Sequence, residues 1–103
     1  CPGGAETRGL VNAEILALLG KDGILINIAR GSVVDEPALI EALTAKKIYG
    51  AGLDVFATEP AINPACLTLQ NAVLAPHYAS LTAETRRAMI KTLSETIAAH
   101  LAA

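Results

Sequence analysis

Short apolar runs alternate with amphipathic stretches along this chain, and the most telling run lies within Gly-Ile-Leu-Ile-Asn-Ile-Ala-Arg-Gly-Ser-Val-Val-Asp-Glu, from Gly23 to Glu36. Ile24 to Ala29 is nearly continuous in apolar character and rich in β-branched residues, with one polar side chain at Asn27. That pattern predicts a strand buried on both faces of a parallel sheet. The run stops at Arg30-Gly31, where a long cation appears and a glycine lets the backbone turn sharply. Open α/β sheets keep their binding crevice outside the carboxyl ends of the strands, so a charge placed there faces a site rather than a core.

A helix precedes this strand. Asn12 is a good N-cap, Val11 can staple onto Leu16, and Ile15, Leu16, Leu18 and Leu19 predict a wide apolar face that Gly20 closes. Lys21-Asp22-Gly23 turns into the strand. Beyond it, Asp35 is placed to cap a second helix with Glu36 and Pro37 in its first turn, Leu39, Ile40 and Leu43 on its buried face, and Lys46 and Lys47 near the negative end of its dipole. Gly50 and Gly52 bracket a second strand, Ala51 to Phe56, which makes a βαβ unit with a right-handed crossover. Ala61 to Gln70 reads as a loop broken by Asn63-Pro64, and Asn71 to Ala75 as a shorter third strand that stops at Pro76-His77. Thr82 caps a long helix in which Met89, Ile90, Leu93, Ile97 and Leu101 recur at helical spacing. That stripe predicts a partner surface outside the elements just named.

Composition narrows the class. The 103 residues, 10.6 kDa, make at most one domain, and a net charge of -2 with no basic stripe argues against nucleic acid or an anionic membrane as a partner. A hydrophobic content of 52% and a mean hydropathy of +0.45 are high for a soluble domain of this size. With a start at Cys1-Pro2 and an end inside a helical pattern, they predict a piece of a larger domain. Cys1 and Cys66 stand far apart with no His or Cys at metal-ligand spacing, and read as two free thiols in a reducing cytoplasm. No metal site is expected. No apolar run approaches membrane-spanning length.

Three successive strand ends carry Arg30, then Asp54 with Glu59, then His77. If the strands are parallel neighbours, all four side chains meet at one edge of the sheet. An imidazole beside a carboxylate makes a general acid or base that works near neutral pH, and an arginine offers a planar fork for a carboxylate or a carbonyl. Taken singly, each has a plainer use: a surface ion-pair partner for Arg30, a solvated loop residue for Glu59, a helix cap for His77. Taken jointly on a βαβ framework they point to reduction of a 2-oxo acid or oxidation of a 2-hydroxy acid. Asp54, set in an apolar strand, needs a partner because an unpaired buried carboxylate is costly. His100, on the last helix, reads as a surface residue.

Ile24 to Glu36, Gly50 to Phe56 leading to Glu59-Pro60, and Ala75-Pro76-His77, in that order, resemble the nucleotide-binding domain of the D-isomer-specific 2-hydroxyacid dehydrogenases. Cys1-Pro2 with Glu6 to Leu10 resembles the segment before a helix of that domain, and His77-Tyr78-Ala79-Ser80 with Glu84 to Met89 is most similar to glyoxylate and hydroxypyruvate reductases. The resemblance implies an α/β fold: part of a Rossmann-like doubly wound parallel sheet with a long C-terminal helix. Residues 1–80 would be the C-terminal half of the NAD(P)-binding domain, and 81–103 a helix leading back to a substrate domain. By resemblance Arg30 binds the substrate carboxylate and carbonyl, His77 is the acid/base and Glu59 its partner. Asp54 accepts from the nicotinamide carboxamide, Ile28 and Ala29 pass their backbone along the nicotinamide, Ala79 and Ser80 form the turn after the histidine, and Cys1 lies near the adenosine. Ala79 replaces a common glycine and Ile28 a smaller or polar residue, both at positions used through backbone.

The resemblance further implies a small 2-oxo or 2-hydroxy acid as substrate, NAD or NADP as cofactor, and a cytoplasmic homodimer. The family's Gly-rich pyrophosphate turn does not occur in these residues, so the chain alone is expected to be inactive. Rival expectations are a dinucleotide-sensing corepressor on the same fold and an interaction module without an active site. Formate dehydrogenase, in which an amide partners the histidine, is disfavoured by Glu59.

Overall fold

The computed structural model describes residues 1–103. In chain order the elements are α1 (Ala13–Leu19), β1 (Ile24–Asn27), a 3-10 turn (Gly31–Val33), α2 (Glu36–Thr44), β2 (Gly50–Leu53), α3 (Pro64–Leu67), β3 (Ala72–Leu74) and α4 (Ala83–Ala102). The three strands form one sheet in the order β1-β2-β3, all parallel, so their carboxyl ends share an edge. This is an α/β unit of the Rossmann-like kind, with a long final helix.

The helices start where side-chain oxygens cap them. Asn12 accepts from the Ile15 N–H at 3.1 Å, Asp35 from Ala38 at 3.2 Å, and Thr82 from Thr85 at 3.1 Å. The stretch expected to be a loop from Ala61 to Gln70 contains α3, because Asn63 caps it through the Ala65 N–H at 3.0 Å and Pro64 occupies its first position. The same Asn-Pro pair that breaks a loop also starts a helix. Lys46 and Lys47 follow α2 directly, at its C-terminal end. Lys46 takes a left-handed conformation (φ 53), its N–H donates to Leu43 and that of Lys47 to Ala42, closing the helix, while the Lys47 ammonium pairs with Glu41 at 2.7 Å.

The register sorts the sheet into two unlike faces. Leu25, Ala51 and Ala72 align across one face, as do Asn27, Leu53 and Leu74, and this face packs under Leu16 of α1 and Leu39 and Leu43 of α2. On the other face Ile24, Ile26 and Val73 are 56%, 64% and 74% exposed, with Gly50 and Gly52 between them. The expectation of a strand buried on both sides is therefore corrected. Both α1 and α2 pack against the same face, and α4 buries no residue. The apolar face expected of α1 narrows to Leu16 for a related reason, since Ile15, Leu18 and Leu19 turn away from α2. The stripe of α4 from Met89 to Leu101 is exposed throughout.

Candidate active site

Each strand end is terminated by a side chain that captures the backbone. At the end of β1, Asn27 is only 6% exposed; its Oδ1 accepts the Ala29 N–H and its Nδ2 donates to the Arg30 carbonyl, both at 3.1 Å. This Asx turn ends the strand two residues before the Ala29 boundary that hydropathy suggests. It also leaves the N–H and C=O of Ile28 without a partner in the chain and the Ile28 side chain exposed. Arg30 follows, with Nη1 donating to the Ala29 carbonyl at 2.7 Å. Replacing Asn27 by alanine is expected to orphan both backbone groups and cost about 1–3 kcal/mol, read from denaturant unfolding of a full-length protein carrying this chain.

The end of β2 is organised by carboxylates. The expected strand Ala51 to Phe56 starts at Gly50 and ends at Leu53, because the Phe56 and Ala57 amides that would extend the ladder donate to Glu59 at 3.0 Å and Glu36 at 2.9 Å. Asp54 is 6% exposed and accepts the Tyr78 N–H on Oδ1 and the Ala79 N–H on Oδ2, both at 2.9 Å. It has the partners that its burial demanded. These bonds hold the turn after β3 in place, where His77 adopts φ 55 in the left-handed region. A non-glycine residue held there by its surroundings is often functional.

His77 Nδ1 stands 2.6 Å from Glu59 Oε2. An ionised carboxylate only accepts, so Nδ1 carries the hydrogen and Nε2 is left for other chemistry. The bond to His77, then the Phe56 N–H, hold the Glu59 carboxyl below its ordinary range, and the Arg30 charge adds a smaller push in the same direction. The Tyr78 N–H does the same for Asp54 against the opposing effect of burial. Both groups therefore stabilise the fold fully above the ordinary carboxylate pKa of about 4, and lose that contribution as pH falls through their lower folded values.

Of the expected site residues, Glu59 and His77 are in direct contact, Asp54 fixes the turn that presents His77, and Arg30 stands at the same edge with its charge felt by Glu59 but no hydrogen bond or ion pair to either. Ala79 lies in that turn with its N–H used by Asp54; Ser80 is exposed beside it. Cys1 is an exposed free thiol, two residues before Gly3, whose backbone lies against the Arg30 side chain. Sequence reasoning passed over Asn27 and Glu36. A lone polar residue at the end of an apolar run was the available signal for Asn27; Glu36 gave none beyond helix-start charge. No cluster of His, Cys, Asp or Glu is arranged to hold a metal, and no helix is long and apolar enough to cross a membrane.

The chain is 52% identical over 98 residues to a 2-ketogluconate reductase of Gluconobacter oxydans, covering 95% of this chain and 32% of that protein. It is 45% identical over 100 residues to a glyoxylate/hydroxypyruvate reductase of Arabidopsis thaliana, covering 97% and 32%. Among solved structures, an NADPH-dependent glyoxylate/hydroxypyruvate reductase of Sinorhizobium meliloti, in complex with NADP and malonate, superposes with a TM-score of 0.80 at 52% identity, over 86% of this chain and 28% of that one. The chain thus spans about a third of the length of the curated relatives it matches. Residues 1–79 match the family model described as D-isomer specific 2-hydroxyacid dehydrogenase, NAD binding domain, and the chain belongs to that family.

Proposed function

We propose that the protein carrying this chain transfers hydride between NADH or NADPH and a small 2-oxo acid of the glyoxylate or hydroxypyruvate type. The observation that carries this reading is the 2.6 Å Glu59–His77 pair at the sheet edge where Arg30 also stands. The edge suits a nicotinamide carboxamide: Ile28 keeps a free N–H and C=O, and each Asp54 oxygen retains a lone pair beyond the backbone amide it accepts. Ile28, Ala29 and Asp54 would hold that carboxamide, with Ala79 and Ser80 flanking it and Cys1 toward the adenosine. When bound, the reduced cofactor supplies hydride to the substrate carbonyl carbon.

The chain's own residues supply the rest. Glu59 fixes the imidazole with hydrogen on Nδ1, so that the protonated ring delivers a proton from Nε2 to the carbonyl oxygen and His77 ends neutral. The Arg30 N–H groups not used on Ala29 bind the substrate carboxylate and polarise the carbonyl. The relatives named above are reductases, which supports this over a corepressor that senses a dinucleotide without turnover. We further assign the whole protein to the cytoplasm as a homodimer.

The test is steady-state assay of a full-length protein carrying this chain with glyoxylate, hydroxypyruvate and 2-ketogluconate against NADH and NADPH. Turnover of at least one acid is expected. Tight dinucleotide binding with negligible turnover of all three would favour the corepressor. The isolated 103 residues are expected to show no turnover, since they include no Gly-rich pyrophosphate turn; measurable activity would refute that part.

A further inference from the structure

We infer that Glu36 is a positioning residue for the Glu59–His77 pair, acting through the peptide that joins Phe56 to Ala57. This rests on the proposed role of that pair. Glu36 sits in the first turn of α2, where a negative charge is favourable in water, yet its side chain is turned inward and only 8% of the residue is exposed. Burying a carboxylate is costly unless it is bonded, and helix-start electrostatics alone do not require it. Its Oε2 accepts the Ala57 N–H at 2.9 Å, across 21 positions of sequence. The charge also reaches buried Cys66, whose thiol is raised first by burial and then by Glu36.

The bond lands on a peptide gripped from both sides. A Cβ built on Gly31 would fall 1.9 Å from the Phe56 carbonyl, so the backbone after Arg30 presses directly on that carbonyl, while Glu36 holds the N–H at the peptide's other end. The preceding amide, that of Phe56, donates to Glu59 Oε1 at 3.0 Å. Two carboxylates thus take two consecutive amides, one of them the partner of His77. Fixing the Phe56–Ala57 peptide orients the Phe56 N–H, and the Phe56 N–H orients Glu59. Glu36 thereby joins the start of α2, just after Arg30, to the acid/base pair at the end of the neighbouring strand.

Three variants of a full-length protein carrying this chain separate reach from charge. Glu36→Gln keeps the length and an acceptor oxygen; Glu36→Asp keeps the charge at the helix start and shortens the reach by one methylene; Glu36→Ala removes both. Misplacing a catalytic group costs on the order of 10- to 100-fold, so Glu36→Asp and Glu36→Ala are expected to lower kcat by about that factor with KM for the dinucleotide nearly unchanged. Glu36→Gln is expected to stay within about threefold of the unsubstituted protein. In the cofactor-free protein, the Glu59 carboxyl carbon followed by NMR is expected to titrate nearer the ordinary carboxylate range in the Asp and Ala variants. A merely structural role would lower the melting temperature yet leave kcat and the Glu59 titration as they were, and that result overturns the inference. So does a Glu36→Gln variant as impaired as Glu36→Ala. If Glu36→Ala does not fold, the Asp and Gln variants decide. If the unsubstituted protein turns over no 2-oxo acid, the proposed function fails, while the Glu59 titration still decides the role of Glu36.

Discussion

Replacing His77 by asparagine or alanine in a full-length protein carrying this chain is expected to lower kcat about 10²- to 10⁴-fold, the usual contribution of a positioned acid/base. The other histidine, His100, is on the last turn of α4, and the Cys66 thiol is buried. The asparagine variant is the decisive one. His77 stands at φ 55, a region that asparagine tolerates and alanine does not, so Asn keeps the turn that Asp54 holds through Tyr78 and Ala79 while removing the proposed proton donor. The alanine variant loses activity and stability together. Steady-state kinetics beside a thermal unfolding curve separate the two, and an asparagine variant that retains more than roughly a tenth of kcat would remove His77 from the acid/base role.

Substituting Gly31 by alanine is expected to be the most damaging change to the fold, about 3–5 kcal/mol. Conformational freedom is not the cause, because Gly31 is absent from the residues of positive φ. Close approach is the cause. The new methyl carbon would lie 1.9 Å from the Phe56 carbonyl carbon and oxygen and 2.5 Å from the Ala57 nitrogen, all backbone atoms with no rotamer to escape into. The segment from Gly31 to Val34 is also pinned on its other side, where Gly9 and Val11 donate to Ser32 and Val33 and Asp35 donates back to Val11. Relief therefore comes only by parting the end of β1 from the loop that carries Glu59. Denaturant unfolding measures the loss, with Gly4→Ala as a control because a Cβ there meets nothing within 4 Å. An unfolding midpoint unchanged by Gly31→Ala would mean that the two backbones are not in contact.

Much of the candidate site was legible because its residues punctuate the apolar pattern. Arg30, Glu59 and His77 each follow a hydrophobic run, and parallel order then brings the run ends to one edge. What stayed hidden were the groups that act on backbone far away in sequence. Glu36 looks like any acidic residue at a helix start, and nothing local says that its oxygen will meet an amide 21 residues later. The strand limits moved for the same reason, since Asn27 and Glu59 take the Ala29 and Phe56 amides that hydropathy assigns to the sheet.

The sequence by itself determined the order of the three strands and of α1, α2 and α4, the N-caps at Asn12, Asp35 and Thr82, and the identity of the cation, carboxylates and imidazole at the strand ends, because caps and apolar runs are set by neighbours within a few residues. Only the tertiary structure decided which sheet face is covered, that Asp54 spans to the turn after His77, and that Gly31 and Glu36 clamp one peptide beside the Glu59 carboxylate. Those outcomes depend on which backbone groups are left unpaired once the strands align, and that is a property of the assembled sheet.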